Sequence, residues 1–73
     1  MADTPIKSEI SGNVWKILKA PGEAVAEEEP VMILESMKME IPVMAPRDGV
    51  VASITVAEGD TVAEDQLVAT LKG

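Results

Sequence analysis

The side chains that could do chemistry in this chain are few, because it contains neither cysteine nor histidine. Those absences remove thiolate nucleophiles, disulfides, and the commonest metal ligand and general base at neutral pH. Among the lysines, Lys38 is the only one that stands between two methionines, within residues 35–40, which read Glu-Ser-Met-Lys-Met-Glu. A lysine amine on its long stem can be acylated, which removes its positive charge and would take the formal charge here from −7 to −8.

Length and composition favour a binding or carrier module. The chain has 73 residues, enough for one small domain, which we expect to span residues 1–73. Such a domain buries only about 60% of the surface that its unfolded chain exposes, so little volume remains for a cleft. An enzyme acting alone is therefore not expected, and no catalytic or metal-ligating residue is predicted.

The charge balance argues against two classes of binding partner, nucleic acids and anionic membranes. Thirteen acidic residues against six basic ones give a net charge of −7, which repels phosphate backbones and anionic lipid. The single aromatic residue, Trp15, has no basic patch around it for base stacking, and no apolar run or secretion signal is present. We expect a free-standing cytoplasmic monomer without nucleic-acid or membrane partners, whose acidic excess aids solubility or attracts basic partner surfaces.

An internal repeat organises the chain. Gly49 follows Gly12 by 37 residues, and reading forward from both without a gap brings identical residues into register. The identities are Val14/Val51, Ile17/Ile54, Ala20/Ala57, Gly22/Gly59, Val25/Val62, Ala26/Ala63, Glu27/Glu64, Val31/Val68 and Leu34/Leu71. The sequence therefore consists of two copies of one supersecondary unit, over about residues 10–37 and 47–73.

Each copy has the pattern of β structure. Runs rich in β-branched residues predict strands, and glycines between those runs predict tight turns. The apolar residues Val14 and Ile17 lie three apart, which indicates a bulge or a strand buried on both faces. We therefore predict an all-β fold of about eight short strands in two sheets related by a pseudo-twofold axis.

The sequence also predicts where several individual side chains lie in this fold. Met32 and Met44 are predicted to fill gaps in the core, and Trp15 to cover core surface on one side. Pro42 is predicted to face away from the hydrogen-bond ladder or to mark a sheet edge. The acidic run at 27–29 is predicted to be a solvated turn.

The repeat also predicts where Lys38 lies. The segment around Lys38 joins the two copies, and its pseudo-equivalent place is taken by the two chain ends. A pseudo-twofold axis then puts the Lys38 turn at one end of the molecule and both termini at the other. Lys38 would stand at an exposed tip, which is the position that a swinging carrier arm needs.

The Met37-Lys38-Met39 triplet, midway between two in-register β repeats, resembles the attachment motif of the biotinyl/lipoyl attachment domain family. The resemblance covers nearly the whole chain. It implies a barrel-sandwich hybrid, a flattened barrel of two four-stranded antiparallel sheets with the modified lysine in the hairpin between the fourth and fifth strands. It further implies covalent cofactor attachment at Lys38, by a biotin protein ligase acting from an acyl-adenylate, with Met37 and Met39 as part of the recognised site.

The same resemblance favours biotin over lipoate as the cofactor. Lipoyl domains more often carry an acidic residue before the lysine and a small one after it, where Met37 and Met39 stand here. Glu35 is compatible with both subfamilies, and Ser36 replaces an alanine common in biotin carriers. An offset of 37 leaves no room for the thumb loop of some acetyl-CoA carboxylase carriers. The pattern is closer to the biotin domains of acyl-CoA, pyruvate or urea carboxylases.

Three functions follow from the resemblance. The first is a biotin carboxyl carrier that moves a carboxyl group from a biotin carboxylase to a carboxyltransferase. The second is a lipoyl carrier, or a dually modified protein, served by lipoyl-attaching enzymes. The third is an unmodified barrel-sandwich module used for assembly, in which Lys38 is an ordinary surface residue like Lys7, Lys16, Lys19 and Lys72.

Overall fold

Eight short β-strands form the structure, a computed structural model that describes residues 3–73. The strands are β1 (Thr4–Lys7), β2 (Gly12–Ile17), β3 (Ala24–Val25), β4 (Pro30–Ser36), β5 (Met39–Met44), β6 (Gly49–Ile54), β7 (Thr61–Val62) and β8 (Leu67–Leu71). Within the described part, no helix is long and apolar enough to cross a membrane. The predicted all-β class is confirmed.

The strands make two four-stranded antiparallel sheets. One sheet has the order β1-β8-β6-β3 and the other has the order β5-β4-β2-β7. Each sheet contains strands from both copies of the repeat, so neither copy can pair its own strands completely. The two-sheet architecture expected from the sequence is therefore confirmed.

Backbone hydrogen bonds repeat at the same offset of 37 residues. Gly22 donates its N–H to the Val51 carbonyl over 2.8 Å, and its counterpart Gly59 donates to the Val14 carbonyl over 2.7 Å. Both glycines have positive φ, at 94° and 93°, a region that glycine enters without steric penalty. The turn that follows β2 thus packs against the start of β6, and the turn that follows β6 packs against β2.

The acidic residues in these turns bind backbone N–H groups. Glu29 accepts a hydrogen bond from the Ala26 N–H over 2.9 Å and forms an ion pair with Lys19 over 3.2 Å. The Ala26 N–H and the Lys19 ammonium hold the pKa of the exposed Glu29 carboxyl below its ordinary value. The counterpart Gln66 makes the same turn contact with the Ala63 N–H over 2.8 Å, so a solvated turn at 27–29, as predicted, describes this segment.

The core lies between the two sheets and is entirely aliphatic apart from one methionine. Its members are Ile6, Val14, Val25, Val31, Met32, Leu34, Val43, Ala45, Val51, Val62, Val68, Ala69 and Leu71. Met32 fills the core as predicted, but the prediction for Met44 is wrong, since its side chain is 49% exposed. Met44 follows the buried Val43 on β5, and successive strand residues point to opposite faces.

A β-bulge sets the direction of Trp15. Val14 pairs with Leu34 and Lys16 pairs with Ile33, so Trp15 is the extra residue on β2. The bulge predicted from the Val14–Ile17 spacing is confirmed. Trp15 is 47% exposed, so the prediction that it covers core surface is wrong; the core lies on the opposite face of β2, under Val14.

The molecule is elongated, with principal extents of 36 × 17 × 17 Å. β2 starts beside the end of β4, and the turn after β2 packs on Val51, which pairs with Leu71 near the C-terminus. The β4–β5 hairpin and the paired β1 and β8 termini therefore lie at opposite ends. At the terminal end, Arg47 donates to the Lys72 carbonyl over 2.6 Å and to the Thr4 hydroxyl over 2.9 Å.

Gly12 and Gly49 occupy equivalent places but tolerate side chains differently. A Cβ at Gly12 would lie 2.6 Å from the Glu35 backbone oxygen, whereas a Cβ at Gly49 would lie 2.8 Å from the Arg47 Nη1 atom, a side-chain atom that can shift without moving a strand. We predict that Gly12→Ala lowers the free energy of unfolding by about 1–3 kcal/mol, because strand backbone must shift. Gly49→Ala should lower it by less.

Urea denaturation of both variants measures this difference. The matched pair keeps the chemical change and the repeat position constant, so only the neighbouring atom differs. Equal losses in the two variants, or a neutral Gly12→Ala, would contradict the close approach of β2 and β4.

Candidate functional site

The β4–β5 hairpin ends in a two-residue turn made by Met37 and Lys38. Ser36 pairs with Met39 directly across the base of the turn. Both turn residues have positive φ, 51° at Met37 and 65° at Lys38, as a type I′ turn requires. The fold therefore presents Lys38 at the extreme tip of a hairpin, where sequence analysis predicted it.

This turn is built from residues that do not favour it. Asn and Gly are the usual residues of type I′ turns, and positive φ in other residue types costs on the order of 1–3 kcal/mol each. The other non-glycine residues with positive φ in residues 3–73, Glu28 and Asp65, are a repeat-related pair in the loop turns. Met37 and Lys38 thus hold strained backbone that the surrounding strands must stabilise.

The side chains of the turn are solvent-exposed. Met37 is 91% exposed and Met39 is 59% exposed, and Lys38 is also exposed. The one ion pair found within residues 3–73 joins Lys19 to Glu29, so the Lys38 amine has no carboxylate partner there. An amine in this setting is accessible to an enzyme that acylates it.

The base of the hairpin is fixed to the start of β2. Ser36 donates its hydroxyl hydrogen to the Ser11 carbonyl over 2.9 Å, and Gly12 allows β2 to approach the Glu35 backbone closely. The Ser36 side chain therefore orients the turn from below and is only partly exposed. Sequence reasoning missed Ser11, since a partner 25 residues away leaves no local signal.

Two glutamates face each other immediately below the turn. Glu35 pairs with Glu40 across β4 and β5, and both side chains are exposed. In a two-residue hairpin the pair next to the closing pair is not hydrogen-bonded, which brings its side chains closest together. Like charges directly opposite each other destabilise a strand pair. The hairpin therefore concentrates negative charge next to Lys38.

Pro42 lies further along β5, at the outer edge of its sheet. Its position opposite Ile33 alternates with the hydrogen-bonded pairs, so the missing N–H faces away from β4. A proline here leaves the exposed edge of β5 with fewer donors for pairing with another chain. This agrees with the predicted edge position.

Neither a metal-binding cluster nor a surface depression adjoins Lys38 within residues 3–73. No group of three or more acidic side chains within residues 3–73 is placed to hold a metal ion. Two surface depressions run between β1 and β5 and share Lys7, Glu9 and Met44; Lys38 lies outside both. The exposed amine of Lys38 is a group that can be modified by acylation.

Comparisons with known proteins agree with this geometry. A family model for biotin and lipoyl attachment, described as "Biotin-requiring enzyme", matches residues 3–71. The biotin/lipoyl attachment protein of Bacillus subtilis is 39% identical over 66 residues, which are 90% of this chain and 90% of that protein.

Two solved structures have the same fold. The urea carboxylase of Kluyveromyces lactis superposes with a TM-score of 0.93 at 35% identity, over 99% of this chain but only 6% of that one. The lipoyl domain of the Azotobacter vinelandii 2-oxoglutarate dehydrogenase complex superposes with a TM-score of 0.73 at 40% identity, over 86% of this chain and 80% of that domain. The fold is the predicted barrel-sandwich hybrid, and the chain belongs to the biotin/lipoyl attachment domain family, whose members carry a covalently bound cofactor.

Proposed function

We propose that Lys38 carries biotin in amide linkage and that the protein is a biotin carboxyl carrier. The observation that supports this most directly is the strained, exposed Met37-Lys38 turn at the tip of the β4–β5 hairpin. The strained backbone there is more readily explained by presentation of the amine than by stability. Similarity to a domain of a urea carboxylase supports carboxyl transfer as the reaction served.

The residues around Lys38 fit a covalently attached biotin. The amine stands in solvent on a four-carbon stem, and the exposed thioethers of Met37 and Met39 offer apolar surface on both sides of it. Biotin, when bound, supplies a ring nitrogen that can hold a carboxyl group. Glu35 and Ser36 complete the predicted site, with Ser36 fixing the hairpin base and Glu35 contributing negative charge.

Attachment is a simple acyl transfer. The deprotonated Lys38 Nζ attacks the acyl carbon of an acyl-adenylate bound to a biotin protein ligase. The new C–N bond forms as the C–O bond to AMP breaks, and the amine loses a proton. Lys38 thereby loses its positive charge.

The protein's part in the later reaction is transport. Tethering the carried group raises its effective concentration at both active sites that it visits. The partners are a biotin carboxylase and a carboxyltransferase, which supply all the catalysis. A cytoplasmic location and a monomeric state complete this proposal, since a net charge of −7 opposes self-association and binding to anionic membranes.

A lipoyl carrier is the second candidate. The Azotobacter vinelandii lipoyl domain is 40% identical over 86% of this chain and the urea carboxylase is 35% identical over 99% of it, so sequence similarity supports both kinds of carrier. The two exposed methionines favour biotin. A streptavidin blot and a dihydrolipoyl-specific antibody, applied to protein from its own cells, distinguish the two cofactors, and intact mass detects a mixture.

Replacing the attachment residue should abolish modification. We predict that Lys38→Arg is not acylated when it is co-expressed with a biotin protein ligase, because the guanidinium is not an acyl acceptor. Intact-mass spectrometry gives the result directly. Lys72→Arg, at the opposite end of the molecule, is the matched control and should be modified fully. A persistent biotin mass in Lys38→Arg would disprove the site.

Replacing the flanking methionines should change the cofactor. We predict that Met37→Asp combined with Met39→Ala lowers biotinylation by at least about tenfold, the loss expected for about 1.4 kcal/mol of binding energy, and increases lipoylation. Aspartate tolerates the positive φ at position 37, so the turn should persist. Met44→Ala, which removes an exposed methionine away from the turn, serves as control. Unchanged biotinylation in the double variant would exclude the methionines from cofactor selection.

A further inference from the structure

The outer face of the sheet that carries Lys38 exposes apolar side chains. Register places Lys16 opposite Ile33, and Ile33 opposite Pro42, with Trp15 beside them in the bulge of β2. These four residues form what we call the Trp15 face. Ile33 and Pro42 alternate with the buried Leu34 and Val43, so their side chains point away from the core. Trp15 and Lys16 are consecutive residues at the bulge of β2, where strict alternation does not hold, and both are exposed. Trp15, Lys16 and Pro42 are exposed, and Ile33 is partly so.

The second copy of the repeat shows that the fold does not need this face. The equivalent row on the other sheet consists of Ala52 and Ser53 in the bulge of β6, opposite Thr70 and then Pro5. There the Ser53 and Thr70 hydroxyls hydrogen-bond over 2.7 Å. The same backbone therefore forms with small, polar side chains. Trp15 and Ile33 are extra apolar surface on the half that presents Lys38.

The glutamate pair between the Trp15 face and the turn also differs from its counterpart in the second half of the repeat. Glu35 and Glu40 lie directly opposite each other, one row closer to Lys38 than Ile33 and Pro42. Their repeat-equivalent positions hold Lys72 and Asp3, which have opposite charges. The Lys38 half thus keeps a like-charge pair where the equivalent positions of the other half hold residues of opposite charge.

On the surface, Trp15 contacts the neighbouring Lys16. The Lys16 Nζ atom lies 5.5 Å from the centroid of the Trp15 ring, within the range of a cation–π interaction. A large aromatic side chain with little conformational freedom is the kind of residue that dominates binding energy in protein interfaces. An apolar centre with an acidic border fits a partner surface with an apolar centre and basic border.

We propose that the Trp15 face, with Glu35 and Glu40 at its border, docks the enzyme that acylates Lys38. This inference depends on the proposed function, because it requires Lys38 to be acylated. Before acylation the protein carries no cofactor that a partner could bind. The acylating enzyme must therefore distinguish Lys38 from four other lysines by the folded surface around it.

Other occupants fit these features less well. A second copy of this chain would bring together two molecules of charge −7 and two acidic pairs, which repel each other. An enzyme that uses the loaded carrier can bind the carried group in its own active site, so it depends less on this face. The acylating enzyme has only the protein surface to recognise.

The test is the kinetics of biotinylation by purified biotin protein ligase, with the carrier as varied substrate. We expect Trp15→Ala to raise KM for the carrier about tenfold with kcat within about twofold of wild type, as for loss of an interface anchor. Leu67→Ala is the matched control, since Leu67 is an exposed apolar residue on the other sheet. It should leave both constants unchanged. Position 52, which is equivalent to position 15, already holds alanine, so Trp15→Ala should fold. Circular dichroism verifies this.

The outcomes separate the inference from the proposed function. If wild type is acylated at Lys38 and Trp15→Ala keeps its KM, the docking face is wrong while the carrier function stands. If Trp15→Ala slows only carboxylation of the loaded carrier, the face serves a different enzyme and the inference is likewise overturned. If wild type is acylated with neither biotin nor lipoate, both fail.

A second variant tests the acidic border. Glu40→Lys converts the like-charge pair with Glu35 into an attractive one, so we expect a higher urea midpoint than wild type. We also expect its KM in the ligase assay to rise severalfold and to depend less on ionic strength than that of wild type. A residue with a purely structural role would not combine greater stability with weaker docking. An unchanged or lower KM would remove the glutamates from the interface.

Discussion

The pairing of strands between the two repeat copies is the constraint on which this structure depends. A chain of 73 residues without cysteine or histidine has no disulfide to stabilise a small core, and no acidic cluster within residues 3–73 is placed to hold a metal ion. Its aliphatic core closes only because β7 from the second copy completes the sheet of β2, and β3 from the first completes the sheet of β6. Neither copy buries its apolar face alone, so the two copies must fold together.

That constraint also determines how the hairpin can carry strain. The turn at Met37 and Lys38 occupies backbone conformations that an isolated hairpin of these residues would avoid. It persists because β4 is paired on both sides, with β5 and with β2, and because Ser36 is bonded to the Ser11 carbonyl. The rigid base leaves the lysine side chain as the flexible part of the arm. The strand hydrogen bonds and the Ser36–Ser11 contact fix the position of the turn, while rotation about the side-chain bonds of Lys38 lets its amine move.

The sequence predicted the parts of the fold that repeat, because repetition doubles the signal for each turn and strand. Gly22 and Gly59 mark equivalent turns, and the Val14–Ile17 spacing reveals a bulge that register confirms. Met44 and Trp15 were misplaced since a single exposed apolar residue looks, in sequence, like a buried one. The bulge adds one residue to β2, so alternation from neighbouring strands does not apply to Trp15. The contact of Ser36 with Ser11 depends on strand register, which composition does not encode.

Differences between equivalent positions separate function from folding more sharply than either copy could alone. Where the two copies agree, as in the turns capped by Glu29 and Gln66, the residues satisfy backbone groups that the fold requires. Where the copies differ at the terminal end, the difference has a structural role. Arg47 stands at the position equivalent to Ile10 of the first copy, and it donates hydrogen bonds to two backbone carbonyls. The Lys38 half instead has a half-exposed tryptophan and two facing glutamates of like charge. The repeat-equivalent positions of the other half hold Ala52 and the oppositely charged Lys72 and Asp3, so the exposed tryptophan and the like-charge pair of the Lys38 half are best explained by contacts made with another protein.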